Sequence, residues 1–285
     1  MEKYEKRIEK NKLRKRRNMV LTGISLIFLF SFGFFIGEKM SHSKNVVVSA
    51  ANTKKQSVKT SNTDEAMNSR ESAVSKQNNN DISSLNPYKS DGKKVAYLTF
   101  DDGPSSNNTP KILDILKRYN IHATFFLIGQ NAEKNAAIVK REVAEGNVVG
   151  NHTYSHNMKY IYSNPSIFIS DLQRGDEVIK SILGNSYTLK LVRFPGGSFG
   201  AKLAPFRAAA KKAGYHYVDW NDLTGDAEHN NVPVSNLLSE LERYTYEDHV
   251  VILMHDAAAK ATTVQALPEV IDYLKSKGYS FGTLK

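Results

Sequence analysis

The sequence predicts an α/β fold: a distorted, incomplete (β/α) barrel of about seven strands, preceded by one transmembrane helix and a disordered linker. Three observations carry this reading. Short apolar runs alternate with amphipathic stretches from Val95 onward, Gly directly follows the last periodic residue of four helical stretches, and one long uncharged apolar segment stands near the N-terminus. Strand–helix alternation builds a parallel sheet covered by helices, and Gly just past the last turn is the usual C-cap of such units.

In chain order, residues 1–18 form a basic tail with nine Lys or Arg and three Glu. Met19–Gly37 (MVLTGISLIFLFSFGFFIG) carries no charge, and as a helix it reaches about 28 Å, one hydrocarbon core. Arg14-Lys15-Arg16-Arg17 abuts its N-terminal side, so the positive-inside rule directs the tail to the cytoplasm and everything after Gly37 outside. The expectation is a single-pass protein of the cell membrane. Cleavage as a signal peptide is the competing reading. Against it, Glu38-Lys39-Met40 follows the apolar run, and Val48-Ser49-Ala50, the nearest small-residue site, lies far downstream. Residues 38–90 are rich in Ser, Asn, Lys, Thr and Gln without apolar period, and read as an extracellular tether with a reach of roughly 40 Å.

The globular part is expected at 91–285. Strands are expected at Val95–Phe100, Ala123–Ile128, Asn147–Asn151, Leu189–Phe194, Tyr215–Asp219, Val250–Met254 and Tyr279–Phe281. Helices are expected at Pro110–Tyr119, Ala132–Glu145 before Gly146, Pro165–Leu183 before Gly184, Leu203–Ala213 before Gly214, Val234–Tyr244, and Val264–Lys277 before Gly278. An open doubly wound sheet is the alternative topology.

Composition narrows the function. Of the net charge of +10, +6 belongs to residues 1–18 and +3 to 38–90, leaving +1 for 91–285. The basic balance is therefore not a nucleic-acid footprint. With no cysteine, disulfide scaffolds, thiolate catalysis and Cys-ligated metals are excluded, so any metal is held by His and carboxylates.

Polar clusters fall where strands end: Asp101-Asp102-Gly103-Pro104 after Phe100, Asn151-His152 and His156 after Gly150, Arg193-Phe194-Pro195-Gly196-Gly197 after Val192, Asp219-Trp220 and Asp226 after Val218, and His255-Asp256 after Met254. In a β/α barrel these ends share one mouth. Each cluster also has a plain reading. Paired Asp before Gly-Pro makes a good turn, the His pair at i, i+4 lies on one helical face and suits a metal but can equally be solvated surface histidines, Arg193 can be an ion-pair partner, and Asp226 can sit in an ordinary loop. Together Asp102, His152 and His156 make an His/His/Asp set of the kind that leaves a metal position open.

The ordered strings TFDDGP at 99–104, His152-x-x-x-His156, Arg193-Phe194-Pro195-Gly196-Gly197, Trp220 with Asp226, and Leu253-Met254-His255-Asp256 resemble the polysaccharide deacetylases of carbohydrate esterase family 4, the NodB homology domain. The resemblance spans residues 93–285. It implies hydrolysis of N-acetyl groups on a glycan with one divalent metal ion, zinc, with cobalt or nickel as alternatives. Asp102, His152 and His156 would be the ligands, Asp101 the general base and His255 the acid for the leaving amine. Arg193 would orient Asp101, with Asp226 tethering Arg193. Pro195 and Gly196 would serve the oxyanion, Leu253 the acetyl methyl pocket, and Trp220 the substrate groove. The family commonly reads R-x-P-Y-G in the third motif and Asp-Trp in the fourth; Gly196 and Ala227 stand at those positions here, implying a less aromatic groove. The expected substrate is peptidoglycan N-acetylglucosamine, with another surface polysaccharide, an O-acetylated glycan, or a silent glycan-binding module as rivals. No nucleic acid and no obligate protein partner are implied.

Overall fold

The computed structural model describes residues 86–185 and 187–285, within one of the chain's two units, Ala73–Lys285. The expected basic tail, the apolar span Met19–Gly37 and the linker up to residue 85 lie outside the described residues. Among those described, no helix is long and apolar enough to cross a membrane.

Strand β1 (Val95–Asp101) leads to helix α1 (Thr109–Tyr119), β2 (Thr124–Leu127), α2 (Gly129–Lys134), α3 (Ala136–Ala144), β3 (Val148–Asn151), α4 (Met158–Ile161), α5 (Pro165–Leu183) and β4 (Leu191–Val192). A 3-10 turn (Ala201–Leu203) then opens α6 (Ala204–Lys212), followed by β5 (His216–Tyr217), β6 (Asp222–Leu223), α7 (Val234–Tyr244), β7 (His249–His255), α8 (Ala261–Ser276) and β8 (Ser280–Gly282). The pairings are parallel in the order β5-β4-β3-β2-β1-β7-β6, with β8 against the start of β1. β5 and β6 are two ends of one extended segment. Val218 N–H donates to Val192 O at 3.1 Å on one edge, and Asn221 N–H donates to Val251 O at 3.2 Å on the other. One segment thus meets both edges of a curled sheet, which is the distorted barrel rather than the open doubly wound alternative.

Strand periodicity aims the site. Ala96, Leu98 and Phe100 of β1, and Val250, Ile252 and Met254 of β7, pack in the layer between sheet and helices, together with Ile112, Leu116, Leu267 and Ile271. Alternation turns Thr99 and Asp101, and likewise Leu253 and His255, to the barrel interior. There Phe126, Val148, Val218 and Val251 fill the lower layer. Asp101 and His255 are register partners, so base and acid candidates stand side by side at the strand ends.

Several elements differ from expectation. The helix expected over Ala132–Glu145 breaks at Asn135, whose side chain donates to Pro104 O at 3.2 Å and Asn131 O at 3.0 Å. The strands expected at Leu189–Phe194 and Tyr215–Asp219 shrink to two residues each, while β6 and α4 are additions. The four expected C-cap glycines, Gly146, Gly184, Gly214 and Gly278, all have left-handed φ between 79° and 88°. Residues 86–90, assigned to the linker, instead lie on the barrel. Tyr88 packs against the lower core layer, and His249 Nδ1 lies 3.2 Å from Pro87 O.

Candidate active site and metal centre

The loop geometry around the His pair comes first. Residues 152–157 are not helical, and α4 begins only at Met158, so the i, i+4 helical face is corrected to a turn. Thr153 (φ 67°) and His156 (φ 51°), like Asp102 (φ 73°), adopt left-handed backbone. Such residues cost on the order of 1–3 kcal/mol each and persist where the surroundings over-determine them. Here Asn151 Oδ1 accepts from Thr153 N–H at 2.8 Å, and Thr153 Oγ1 from His156 N–H at 3.1 Å. Asp171 Oδ1, on α5, accepts from the N–H groups of Tyr154 and Ser155 at 2.8 and 3.0 Å. Asn131 Nδ2 donates to Asp102 O at 2.9 Å.

This turn brings one ligand atom each from Asp102, His152 and His156 within 4.8 Å of one another. Asp102 Oδ1 lies 3.2 Å from His156 Nε2 and 3.6 Å from His152 Nε2. Ligand atoms about 2.0–2.1 Å from a common tetrahedral centre lie about 3.3–3.4 Å apart, so these separations match ligands around an ion. Asp102 Oδ1 is buried without a hydrogen bond, an arrangement that costs stability until a cation satisfies it. His152 Nδ1 lies 2.8 Å from Arg193 O. A carbonyl only accepts, so the proton is on Nδ1 and Nε2 keeps its lone pair. Burial lowers the His152 pKa to about 3, which keeps the ring neutral as a metal ligand requires. The residues present therefore fit a divalent cation.

Beside this set, Arg193 is wholly buried. Its Nη1 donates to Asp101 Oδ1 at 2.9 Å and Thr99 Oγ1 at 2.6 Å, Nε to Val218 O at 3.0 Å, and Nη2 to Asp219 O at 3.0 Å. The fork is thus held by the backbone that joins the barrel edges. Burial raises the Asp101 pKa above the usual carboxylate value, with the Arg193 charge opposing it, which favours a proton acceptor. Asp226, expected to tether Arg193, is instead fastened to His255. Its Oδ1 accepts from His255 Nδ1 at 2.8 Å, and its Oδ2 from His255 N–H at 2.7 Å and Thr263 Oγ1 at 2.8 Å. The reason is geometric: backbone carbonyls already occupy the Arg193 positions assigned to Asp226.

Burial by itself lowers the His255 pKa, but the charge and hydrogen bond of Asp226, with Asp101 and Asp102 adding, raise it to about 9. The ring is then protonated at neutral pH, as an acid must be, and its activity falls as pH rises through that pKa. Asp226→Asn removes the main raising charge and leaves the burial effect. The basic limb of the pH–rate profile is therefore expected to move to lower pH; an unmoved limb in a folded variant would detach Asp226 from the acid.

The other expected residues are placed as follows. Leu253 is buried two residues before His255 on the same face of β7. Pro195 is buried, its carbonyl accepting from Tyr162 OH at 2.8 Å, and Gly196 is exposed with φ 76°. The Trp220 ring is partly buried, 5.4 Å from Phe199 and 5.8 Å from the Arg193 guanidinium, so it backs Arg193. Sequence reasoning gave no role to Thr99 or Asp219 and did not single out Thr263 or Asp171. Asp219 accepts from Ser198 N–H and Oγ at 2.8 and 2.6 Å, bracing the loop after Gly197. Asp219 belongs to a strand-end cluster, which is the signal for it; Asp171 sits mid-helix and carries none.

A curled parallel sheet with a His/His/Asp set between an Arg-held carboxylate and an Asp-held imidazole defines a hydrolytic site. Residues 88–218 match the polysaccharide deacetylase family. Over 201 residues the chain is 36% identical to a peptidoglycan-N-acetylglucosamine deacetylase of Bacillus cereus, spanning 68% of this chain and 71% of that one. Among solved structures it is similar to the polysaccharide deacetylase Bc1974 from Bacillus cereus, with TM-score 0.62 and 36% identity over 67% of this chain and 92% of that one. It is also similar to a Streptococcus mutans CE4 esterase, with TM-score 0.62 and 35% identity over 67% and 86%. The chain belongs to the polysaccharide deacetylase family.

Proposed function

We propose that this chain is a membrane-anchored, divalent-metal-dependent enzyme that removes N-acetyl groups from peptidoglycan N-acetylglucosamine. The observation that carries the reading is the pairing of Asp101 with Arg193 and of His255 with Asp226 on adjacent strand ends beside Asp102, His152 and His156. A silent binding module needs no such base, acid and ligand set together.

Asp102, His152 and His156 would hold the ion. An N₂O donor set suits zinc, with cobalt and nickel as alternatives. When bound, the ion supplies Lewis acidity toward the acetyl carbonyl. Asp101 takes the proton of the attacking water, and Arg193 fixes its carboxylate without blocking Oδ2. Asp226 holds His255 Nδ1–H, so the proton that is delivered comes from Nε2 to the leaving amine. An amide nitrogen leaves only when protonated, which is why an acid must stand opposite the base. Gly196, after Pro195, offers a backbone N–H to the developing oxyanion. Leu253 closes the space for the acetyl methyl, and Trp220 lends the groove its indole edge.

The substrate assignment is supported by the relative of that name, and it goes with the sequence expectation that Met19–Gly37 anchors the chain and leaves residues 91–285 outside. The full-length protein incubated with purified peptidoglycan should produce free glucosamine amines and equimolar acetate. Turnover confined to O-acetylated esters, or to another glycan, would replace this substrate. In cells, the protein should fractionate with membranes and be cut by protease added outside. A mature secreted form beginning near Ala51 would make Met19–Gly37 a signal peptide instead.

A further inference from the structure

Behind the proposed metal centre, the loops that follow the base and the acid are fastened together through one buried carboxylate. Asp256, next after His255, is wholly buried. Its N–H donates to Asp101 O at 3.2 Å, its carbonyl accepts from Ser105 Oγ at 2.6 Å, and its Oδ2 accepts from Thr109 Oγ1. Thr109 Oγ1 in turn accepts from Ser105 N–H at 2.7 Å. The carboxylate fills the space beside Gly103, where an added Cβ would lie 2.1–2.4 Å from its atoms. Asp256 therefore leaves room only for glycine at 103. The seam continues through Asn108 Nδ2 to Ala257 O at 2.8 Å and Asn107 Nδ2 to Ala258 O at 2.9 Å.

We propose that Asp256 is a positioning residue, which sets the spacing between the Asp101–Asp102 turn and the His255 strand end and keeps Asp102 in its left-handed conformation. The inference rests on the reading of Asp101 and His255 as base and acid. Asn131 holds the Asp102 carbonyl from one side, and Asp256 confines Gly103, the next residue, from the other. Asp256 touches no reacting group in this scheme; it acts through Gly103 and Thr109. An alanine at 256 would free Gly103 and leave the Thr109 hydroxyl without its acceptor. An asparagine keeps the shape and an oxygen for Thr109.

The test compares Asp256→Ala, Asp256→Asn, Thr109→Val and Thr109→Ser in the full chain. It reads zinc affinity by titration, kcat and KM on an N-acetylglucosamine oligomer, melting temperature, and amide exchange over residues 102–109 of metal-free protein. Misplacement of catalytic groups costs up to about 10²-fold, so Asp256→Ala and Thr109→Val should lower kcat by about tenfold or more. KM should change little, zinc affinity should weaken, and exchange at 102–109 should speed up; Asn and Ser should recover most of each loss. A lowered melting temperature with unchanged kcat, zinc affinity and local exchange would reduce Asp256 to a structural residue and overturn the proposal. If Asp256→Ala does not fold, Thr109→Val decides by the same readouts. Should the wild type release no acetate, the deacetylase reading fails, while zinc affinity and exchange still decide whether Asp256 positions the turn.

Discussion

Asp101→Asn is expected to cut amide turnover by about 10²–10⁴-fold or more while the protein still binds its metal. Asparagine fills the same space, and its carbonyl can accept from Arg193 Nη1 as Asp101 Oδ1 does at 2.9 Å. It cannot take a proton at neutral pH. Asp102→Asn should fail differently, by losing metal affinity, because Asp102 Oδ1 is the carboxylate atom that faces both His Nε2 atoms. Adjacent carboxylates can divide labour in this way when one is neutralised by a cation and the other by an arginine. Metal analysis of both variants checks the assignment. Metal lost from the Asp101 variant and kept by the Asp102 variant would reverse the roles.

His255→Ala should lower deacetylation of an N-acetylglucosamine oligomer by about 10²-fold or more, with a far smaller loss on an aryl acetate. A phenolate leaves unaided; an amine does not. The metal should stay bound, since the His255 ring is committed through Nδ1 to Asp226 at 2.8 Å. Equal losses on the two substrates would assign His255 to the oxyanion or to the fold, and loss of metal would make it a ligand.

What was legible in the sequence and what was not divides along physical lines. Strand ends were legible because continuous apolar runs such as Val250–Met254 terminate abruptly in His255 and Asp256, and β1 ends likewise in Asp101. The glycine caps marked helix ends because left-handed φ demands them. The His turn was misread, since spacing of four fits a helix equally well, and its left-handed backbone depends on Asp171, fifteen residues beyond His156. The partner of Asp226 was misassigned because the Arg193 fork is filled by carbonyls of Val218 and Asp219, which leave no trace in side-chain identity. The segment that joins the barrel edges was half missed. Each of its pairings is two residues long, too short for periodicity to register.

The central claim, metal-dependent amide hydrolysis at this site, is tested most directly by measuring acetate and free amine released from an N-acetylglucosamine oligomer by the full-length protein before chelation, after removal of metal, and after zinc is restored. The account predicts equimolar acetate and amine, loss of both on chelation, and recovery with zinc in the wild type but not in His152→Ala, which lacks one of the three ligands. Undiminished turnover in the chelated protein, or full activity in metal-free His152→Ala, would contradict it.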